Sequence, residues 1–379
     1  MRGSIKFLTV FNLFSNSANC FSAASVSAVP FSRSDIENIR PMHITFFGSD
    51  AFSIITLRHL QKLTASLPLS LLCVTRPPKL TGRGRKQLTP TPLHKYALGE
   101  THDGIPGSPT PLPVMTVNQN QDFRLLPLTD IAVAVSFGLL VPGWYLQSHC
   151  RNGGLNVHPS LLPQLAGPAP LHRALLQGLK TTGVSIQTLH PTKFDAGQIL
   201  LQEEVPITDD LLTLDALSNN LAEKGGELLA KTILNKLYLP ENYPTINTNY
   251  SPSYAGKIKP EERKINWSTD TLQTLITRQS VFGTLYTFKE AINKKTKEKS
   301  MKRVLFTDVE KFNLPVPQTS SPPGSFILND ERLIVKTADN QYLEVKALKV
   351  DGVGKKTPKS FVTSLNRHFG NIDYNFVPN

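Results

Sequence analysis

Short, continuous runs of apolar residues alternate with stretches of helical periodicity over the first two-thirds of the chain, and this alternation constrains the fold most. The first run, His43–Gly48, is followed by a helix that we predict to be capped by Ser49 and to end near Leu63, because serine is a favoured N-cap residue. Strands that are apolar throughout are typical of a parallel sheet with helices on both faces. The pattern therefore predicts an α/β fold with a mostly parallel sheet.

Later segments repeat this pattern. The predicted strands are Leu69–Thr75, Leu112–Val117, Ile131–Phe137, Leu155–Val157, Gly183–Leu189 and Gln198–Val205, and the predicted helices are Leu171–Gln177 and Leu214–Leu237. Ligands of such sheets bind beside the carboxyl ends of the strands. The turn after the first strand has one glycine where dinucleotide-binding turns have three, and the sequence contains no P-loop motif. Both kinds of nucleotide site are therefore disfavoured.

The last third of the chain predicts a second, smaller domain. Residues 238–260 are rich in proline and asparagine and indicate an interdomain linker. Several short strand-like segments follow, separated by turn residues; they are Val304–Phe306, Ser325–Leu328, Arg332–Lys336 and Tyr342–Lys349. This spacing predicts a small β-rich barrel or sandwich. We therefore divide the chain into domains at 41–237 and 261–379.

The composition of the N-terminal segment indicates a targeting sequence. Residues 1–34 contain eight serines, three basic residues and no acidic residue, a composition typical of an organelle transit peptide. A secretory signal is the alternative, because Phe7–Phe14 is apolar and small residues follow at Ala24–Ala28. We predict that residues 1–40 form a mitochondrial transit peptide without a fixed fold.

The formal net charge is +12, and residues 240–379 hold 21 Lys/Arg against 14 Asp/Glu. Such an excess indicates a polyanionic partner, although a solvated lysine-rich surface explains it equally well. No apolar run is long enough for a transmembrane helix. The three cysteines lie far apart and form neither a disulfide framework nor a metal-binding pair. We expect neither a bound metal nor a membrane contact.

The densest group of reactive side chains lies at Asn156–Pro163 (NVHPSLLP). Asn156 and His158 are two residues apart on a predicted strand and therefore share a face. Histidine transfers protons near neutral pH, and an amide can donate a hydrogen bond to an oxyanion. Asp195, between two apolar strands, can hold an imidazole or order a water molecule. A structural Asn/His pair and a turn aspartate are the commoner alternatives.

A second group is basic. Five basic residues occur between positions 76 and 86, interspersed with glycines; they are Arg76, Lys79, Arg83, Arg85 and Lys86. This density predicts a surface that binds phosphates of an irregular nucleic-acid backbone. A mobile surface loop without a ligand is the alternative.

Together these motifs resemble those of the methionyl-tRNA formyltransferase family from His43 to Arg367. Asn156-x-His158-x-Ser160-Leu161-Leu162-Pro163 resembles the signature of folate-dependent formyltransferases, and Phe194–Gly197 resembles the segment that holds their third catalytic residue. Several enzymes that use 10-formyltetrahydrofolate share this signature, glycinamide ribonucleotide formyltransferase among them. The basic segment and Tyr254–Trp267, which resembles the start of a tRNA-binding domain, favour a tRNA acceptor. Residues 281–286 depart from the family, which has a Pro/Trp-rich patch there.

The resemblance implies a Rossmann-like catalytic domain followed by an OB-like β-barrel, in a monomer of the mitochondrial matrix. It also implies that the substrates are 10-formyltetrahydrofolate and initiator methionyl-tRNA, with tetrahydrofolate as a product. By the same resemblance, we expect Asn156 and protonated His158 to stabilise the oxyanion formed when the methionine amine attacks the formyl carbon, and Asp195 to orient His158 and relay the proton. The basic segment is expected to grip the tRNA. The implied folate contacts are Val135, Phe137, Gly138, Leu139, Val141, Ser160, Leu161, Leu162 and Pro163.

Two alternatives stay open. The first is another enzyme that uses 10-formyltetrahydrofolate, either a transferase to a small amine or a hydrolase. The second is a catalytically inactive relative that binds RNA.

Overall fold

The computed structural model describes residues 40–82, 84, 86–313, 320–371 and 373–378. Within these ranges the chain forms a seven-stranded sheet, a six-stranded sheet and a two-stranded hairpin. No helix in this part of the chain has the length and apolarity needed to span a membrane. The predicted transit peptide lies, except for Arg40, outside the described residues.

The first sheet and its helices extend from Met42 to Leu234. In chain order the elements are β1 (Met42–Gly48), α1 (Ala51–Leu63), β2 (Leu69–Thr75), β3 (Lys79–Thr81), β4 (Gln87–Thr89), α2 (Pro92–Ala97), β5 (Val114–Thr116), β6 (Ile131–Val135), α3 (Gly143–Ser148), β7 (Gly154–His158), α4 (Pro170–Leu176), β8 (Thr181–Thr188), β9 (Ile199–Pro206) and α5 (Leu214–Leu234). The order in the sheet is β5-β2-β1-β6-β7-β8-β9. The first five of these strands are parallel, and β8 and β9 are antiparallel to their neighbours. The mostly parallel Rossmann-like sheet is therefore confirmed.

The prediction that Ser49 caps the first helix is wrong. Asp50 is the N-cap residue, and its carboxylate accepts a hydrogen bond from Ser53 N at 3.0 Å. The Ser53 hydroxyl donates back to Asp50 O at 2.6 Å. Ser49 lies one residue too early to reach these amides, and a carboxylate also interacts favourably with the positive end of the helix dipole.

Two predicted strands are longer than the observed ones. β6 ends at Val135 and not at Phe137, because Ser136 takes a left-handed backbone conformation with φ 50° that cannot continue a strand. β5 covers only Val114–Thr116 of the predicted 112–117. The early end of β6 matters for function, since it opens a loop at the carboxyl edge of the sheet.

Neighbouring residues of each strand point to opposite faces of the sheet, and a hydrophobic core packs against each face. Phe46 joins the core that α1 and α5 cover. A Cβ on Gly226 of α5 would lie 2.3 Å from the His59 ring of α1, so glycine permits this close packing. On the other face, Phe47 packs against Phe137, with ring centroids 5.2 Å apart.

The second sheet and the helices packed with it contain the remaining strands and α-helices. They are α6 (Leu272–Phe282), β10 (Leu285–Ile292), β11 (Lys299–Lys311), β12 (Phe326–Asn329), β13 (Arg332–Lys336), β14 (Tyr342–Val350), β15 (Gly354–Lys356), α7 (Pro358–Thr363) and α8 (Leu365–Phe369). The strand order is β10-β11-β14-β13-β12, with β15 beside β14, and every pairing is antiparallel. The sheet curls into a half-barrel, as expected of an OB-like domain.

Aromatic side chains fill this half-barrel. Trp267 is fully buried, stacks on Phe376 with a centroid distance of 5.9 Å, and donates from its indole N–H to the Thr287 hydroxyl at 2.8 Å. Residues 281–286, where the sequence lacks the Pro/Trp-rich patch of the family, span the end of α6, the left-handed Gly283 and the start of β10. It therefore makes an ordinary helix-to-strand turn here.

The segment that we interpret as a linker contacts the loop that follows β7 of the first sheet. It contains a single helical turn at Pro240–Asn242, and its later part pairs with the loop after β7 through Ala166 and Tyr254. Ala255 is fully buried. The boundaries 41–237, 238–260 and 261–379 stay a prediction.

Candidate active site

The structure brings Asn156, His158 and Asp195 into direct contact. Asn156 and His158 are two residues apart in β7, which ends at His158, so their side chains lie on the same face of the strand. Asp195 reaches them from the turn between β8 and β9. One carboxylate oxygen, Asp195 Oδ1, lies 3.2 Å from His158 Nδ1 and 3.4 Å from Asn156 Nδ2. The three residues predicted to be catalytic thus form one hydrogen-bonded group.

Two further residues hold the Asp195 carboxylate. Gln187 Nε2 donates to Oδ1 at 3.3 Å, and the Gly167 backbone N–H donates to Oδ2 at 2.8 Å. Gln187 is 1% exposed and its side-chain oxygen also accepts from Gly197 N at 3.2 Å. Our sequence reasoning missed both residues. A glutamine on the predicted strand just before the Asp195 turn was a usable signal for the first, whereas nothing in the sequence indicated Gly167.

The backbone of the Asp195 turn is tightly constrained. Asp195 has a left-handed conformation with φ 51°, which costs a non-glycine residue about 1–2 kcal/mol. A Cβ on Gly197 would lie only 1.7 Å from the Thr188 carbonyl oxygen, so the turn folds back onto β8 at a distance that only glycine allows. This packing directs the Asp195 side chain inward, and its side chain is 10% exposed.

His158 is held on both sides of its ring. Nδ1 faces Asp195 Oδ1, and Nε2 lies 3.1 Å from the backbone carbonyl oxygen of Leu165. Since both partners are acceptors, both hydrogen bonds form together only when the two ring nitrogens carry protons. The geometry therefore suits an imidazolium, and Nε2 donates to a reacting oxygen only if that oxygen replaces the Leu165 carbonyl.

The loop after His158 is folded around its own polar groups. Ser160, Leu161 and Leu162 are each at most 2% exposed. The Ser160 hydroxyl donates to Gln164 O at 2.7 Å. The Ser185 hydroxyl donates to Ser160 O at 2.6 Å and accepts from Leu162 N at 3.0 Å. These side chains, predicted to contact folate, thus form the inside of the loop, and Pro163 at its edge is more exposed.

The loop after β6 lies beside β7 at the same edge of the sheet. Val135, Phe137 and Val141 are buried and belong to the cores, whereas Gly138 is exposed and Leu139 is partly exposed. Gly138 has φ 77°, a conformation that favours glycine. Among the predicted folate contacts of this loop, only Gly138 and Leu139 therefore present surface to a ligand.

Two short strands, β3 and β4, pair as a hairpin within the basic segment. β3 and β4 pair through Leu80 and Leu88, which are 58% and 62% exposed. Lys79 and Lys86 are exposed as well. The Arg76 guanidinium instead donates to Val117 O at 3.1 Å and to Asn118 O at 2.9 Å, so it anchors the base of the hairpin.

The remaining two predicted tRNA contacts, Arg83 and Arg85, lie outside the described residues.

Burial raises the pKa of the Cys73 and Cys150 thiols to about 12, which keeps both protonated and poor nucleophiles. Among the residues that the structure covers, no three His, Cys, Asp or Glu side chains are grouped as a metal site requires.

Comparison with known proteins now decides the family. A family model described as formyl transferase matches residues 42–233. The mitochondrial methionyl-tRNA formyltransferase of Saccharomyces cerevisiae is 31% identical over 376 residues, which is 89% of this chain and 93% of the yeast protein. The chain belongs to the methionyl-tRNA formyltransferase family. It is therefore a formyl-transferring enzyme of a family that uses formyl-tetrahydrofolate.

Other relatives agree with this assignment. The methionyl-tRNA formyltransferase of Anaplasma marginale is 38% identical over 194 residues, or 51% of this chain and 60% of that protein. A crystal structure of a HypX variant from Aquifex aeolicus superposes with a TM-score of 0.50 at 13% identity, over 87% of this chain and 48% of that one. The structural likeness shows a common fold.

Proposed function

We propose that this formyltransferase moves the formyl group of 10-formyltetrahydrofolate to the α-amino group of initiator methionyl-tRNA. The products are formylmethionyl-tRNA, used in translation initiation, and tetrahydrofolate. The observation that carries the proposal is the contact of Asp195 with both His158 and Asn156, in a chain that aligns with nearly all of the yeast mitochondrial enzyme.

The chemistry requires one bond to form and one to break. The methionine amine attacks the formyl carbon, which makes a tetrahedral intermediate with a negatively charged oxygen. The bond from that carbon to folate N10 then breaks, and N10 receives a proton as the incoming amine loses one. Asn156 and the His158 imidazolium donate to the oxyanion, and Asp195 stabilises the imidazolium and relays the proton. Hydrogen bonds placed at a developing oxyanion are worth on the order of 3 kcal/mol each.

The folate is proposed to lie at the carboxyl edge of the sheet between the loops after β6 and β7. The backbone at Gly138 and Leu139 supplies polar groups there, and Val135, Phe137 and Val141 form the wall behind them. Ser160, Leu161, Leu162 and Pro163 then shape the opposite side through the backbone of their loop. This arrangement needs few exposed side chains, in keeping with their burial.

The tRNA is proposed to contact the hairpin through Lys79, Arg83, Arg85 and Lys86. Arg76 positions this hairpin, because its guanidinium is engaged by the carbonyls of Val117 and Asn118. The half-barrel of the C-terminal part is the proposed second tRNA surface, and its excess of basic residues supports this role. Residues 1–40 are proposed to direct a monomeric enzyme to the mitochondrial matrix.

An acceptor panel tests the proposal. Purified protein is mixed with 10-formyltetrahydrofolate labelled in the formyl group and with initiator methionyl-tRNA, uncharged tRNA, free methionine or glycinamide ribonucleotide. We expect label only on the methionyl-tRNA. Label on glycinamide ribonucleotide indicates another formyltransferase, release of formate without an acceptor indicates a hydrolase, and tRNA binding without transfer indicates an inactive relative.

A further inference from the structure

A short stretch of the linker pairs with the loop that carries the His158 contact. Ala166 N donates to Ser253 O at 3.0 Å, and Ala255 N donates to Ala166 O at 2.7 Å. Ser253 N also donates to Pro163 O at 3.2 Å. Residues 253–255 therefore form an extended segment, here named the linker strand, that makes an isolated β-bridge with the active-site loop, although they lie about ninety positions later in the sequence.

The side chain of Ser253 adds a hydrogen bond to this backbone pairing. Its hydroxyl oxygen accepts a hydrogen bond from Leu165 N at 2.9 Å. Leu165 is 1% exposed and has a left-handed backbone with φ 54°. A non-glycine residue keeps such a conformation only when its surroundings fix it. The Ser253 hydroxyl, together with the backbone pairing beside it, supplies that constraint.

The two peptide groups that follow this contact in the chain reach the reactive residues. Leu165 O accepts from His158 Nε2 at 3.1 Å, and two residues later Gly167 N donates to Asp195 Oδ2 at 2.8 Å. Gly167 is itself covered by the linker, since a Cβ there would lie 2.6 Å from the Tyr254 ring. The linker strand thus sets the position of two backbone groups that touch the His158–Asp195 pair.

We propose that Ser253 is a positioning residue for formyl transfer, acting through the conformation of Leu165 on the orientation of His158. The inference rests on the proposed function for its kinetic consequence, but its geometric consequence does not depend on it. The Ser253 hydroxyl holds Leu165 N, and the Ser253 carbonyl holds Ala166 N, which belongs to the same peptide group as Leu165 O. Together they set where the Leu165 carbonyl stands, and this carbonyl orients the His158 ring until the reacting oxygen takes its place. A displacement of about 1 Å in such a group costs up to about 100-fold in rate.

The same linker is tied to the rest of the enzyme at its far end. Arg173 of α4 donates to Gly256 O at 3.0 Å and forms two hydrogen bonds with the Glu262 carboxylate, at 2.6 and 3.0 Å. The chain continues from Glu262 into the half-barrel. The strand that orients His158 is therefore continuous with the part proposed to bind tRNA.

The test compares Ser253→Ala with Ser253→Thr, which restores a hydroxyl, and with Ser251→Ala, a serine of the same segment that is exposed as Ser253 is. Full-length variants are assayed for kcat and for KM with methionyl-tRNA and with 10-formyltetrahydrofolate. In the absence of substrates, the ¹⁵N chemical shifts of the His158 ring are recorded by NMR. We expect Ser253→Ala to lower kcat about 10- to 100-fold with both KM values within about twofold, and to shift the Nε2 signal. Ser253→Thr and Ser251→Ala should resemble the wild type.

Unchanged kcat and unchanged His158 signals in Ser253→Ala would overturn the inference. So would a loss of kcat that merely follows a lower melting temperature while the ring signals stay in place, because that result is structural. If the wild type itself transfers no formyl group, the proposed function fails, and the His158 signals still decide whether Ser253 positions the ring.

Discussion

Asp195 Oδ1 lies 3.2 Å from His158 Nδ1, and the two side chains are only 10% and 7% exposed. Little water reaches this pair, so the electrostatic contact between the carboxylate and the ring is screened less than it would be on the surface. The opposite ring nitrogen faces a carbonyl oxygen. Both ring nitrogens of His158 therefore face hydrogen-bond acceptors in the structure.

Asp195→Asn should reduce kcat about 10²- to 10⁴-fold, the range found when a positioned acid or base is lost. The amide keeps the shape of the side chain and can still accept from Gly167 N, but its nitrogen then faces the donors of Asn156 and Gln187. We therefore expect a folded protein with a somewhat lower melting temperature. Steady-state formylation kinetics and thermal unfolding measure the two effects. A kcat within threefold of the wild type would remove Asp195 from the mechanism.

Gly197→Ala should damage the site without touching a reactive group. The added Cβ would meet Thr188 O at 1.7 Å, so the turn has to move and carry Asp195 with it. We expect a loss of about 1–3 kcal/mol in the free energy of unfolding and a large fall in kcat. Gly178→Ala is the matched control: Gly178 has φ 63° with open space around it and should lose about 1 kcal/mol with normal kcat. Equal kcat in both variants would contradict this account of the turn.

Arg83→Ala and Arg76→Ala should have different effects. Removal of Arg83 should weaken tRNA binding, leave folate affinity unchanged, and reduce the slope of log K against log salt by about 1. Removal of Arg76 leaves the carbonyls of Val117 and Asn118 without their donor and should lower the melting temperature. Filter binding at several salt concentrations and thermal unfolding separate the two. An Arg83→Ala variant with weaker folate binding and normal tRNA binding would refute the role of the hairpin.

The Arg173–Glu262 pair should give the linker a pH-dependent stability. The hydrogen bond from the Arg173 guanidinium holds the pKa of Glu262 below its usual 4.5. A carboxylate whose folded pKa is depressed stabilises the fold above its unfolded pKa, and this contribution is lost as pH falls through the folded pKa. The free energy of unfolding of the wild type should therefore exceed that of Glu262→Gln by on the order of 1 kcal/mol at pH 7. The difference should shrink as pH falls below 4.5 and through the lowered folded pKa of Glu262.

Urea unfolding of both proteins at several pH values measures this difference. Glu261→Gln, the exposed neighbour, serves as the control and should follow the wild type throughout. A gap between wild type and Glu262→Gln that persists unchanged at pH 3 would show that the ion pair is not its source.

Local patterns in the sequence predicted much of the fold. The period of two along β7 correctly placed Asn156 and His158 on one face, and apolar runs located the central strands. Capping was misjudged at Ser49, because Asp50 is equally acceptable in sequence and only the helix start decides between them. The Arg76–Lys86 segment was read as a loop, since the pairing of Leu80 with Leu88 leaves both exposed and gives no amphipathic signal.

Long-range contacts were harder to anticipate. No local pattern connects Ser253 with Leu165 or Gly167 with Asp195, because those contacts depend on how a distant segment packs against the loop. Val135, Phe137 and Val141 are buried, and the resemblance that implied them as folate contacts carries no information about which atoms of a segment face the ligand. The sequence and the family resemblance thus predicted that the Asn156–Pro163 and Asp195 segments meet, whereas the structure determines which groups in them are available.

The measurement that tests the account most directly is the initial rate of formylmethionyl-tRNA synthesis by the wild type and by His158→Ala. Both proteins are given saturating 10-formyltetrahydrofolate and initiator methionyl-tRNA, after circular dichroism has shown that both are folded. The account predicts ready synthesis by the wild type and a rate at least about 100-fold lower for the variant. Near-equal rates, or no product from the wild type, would contradict it.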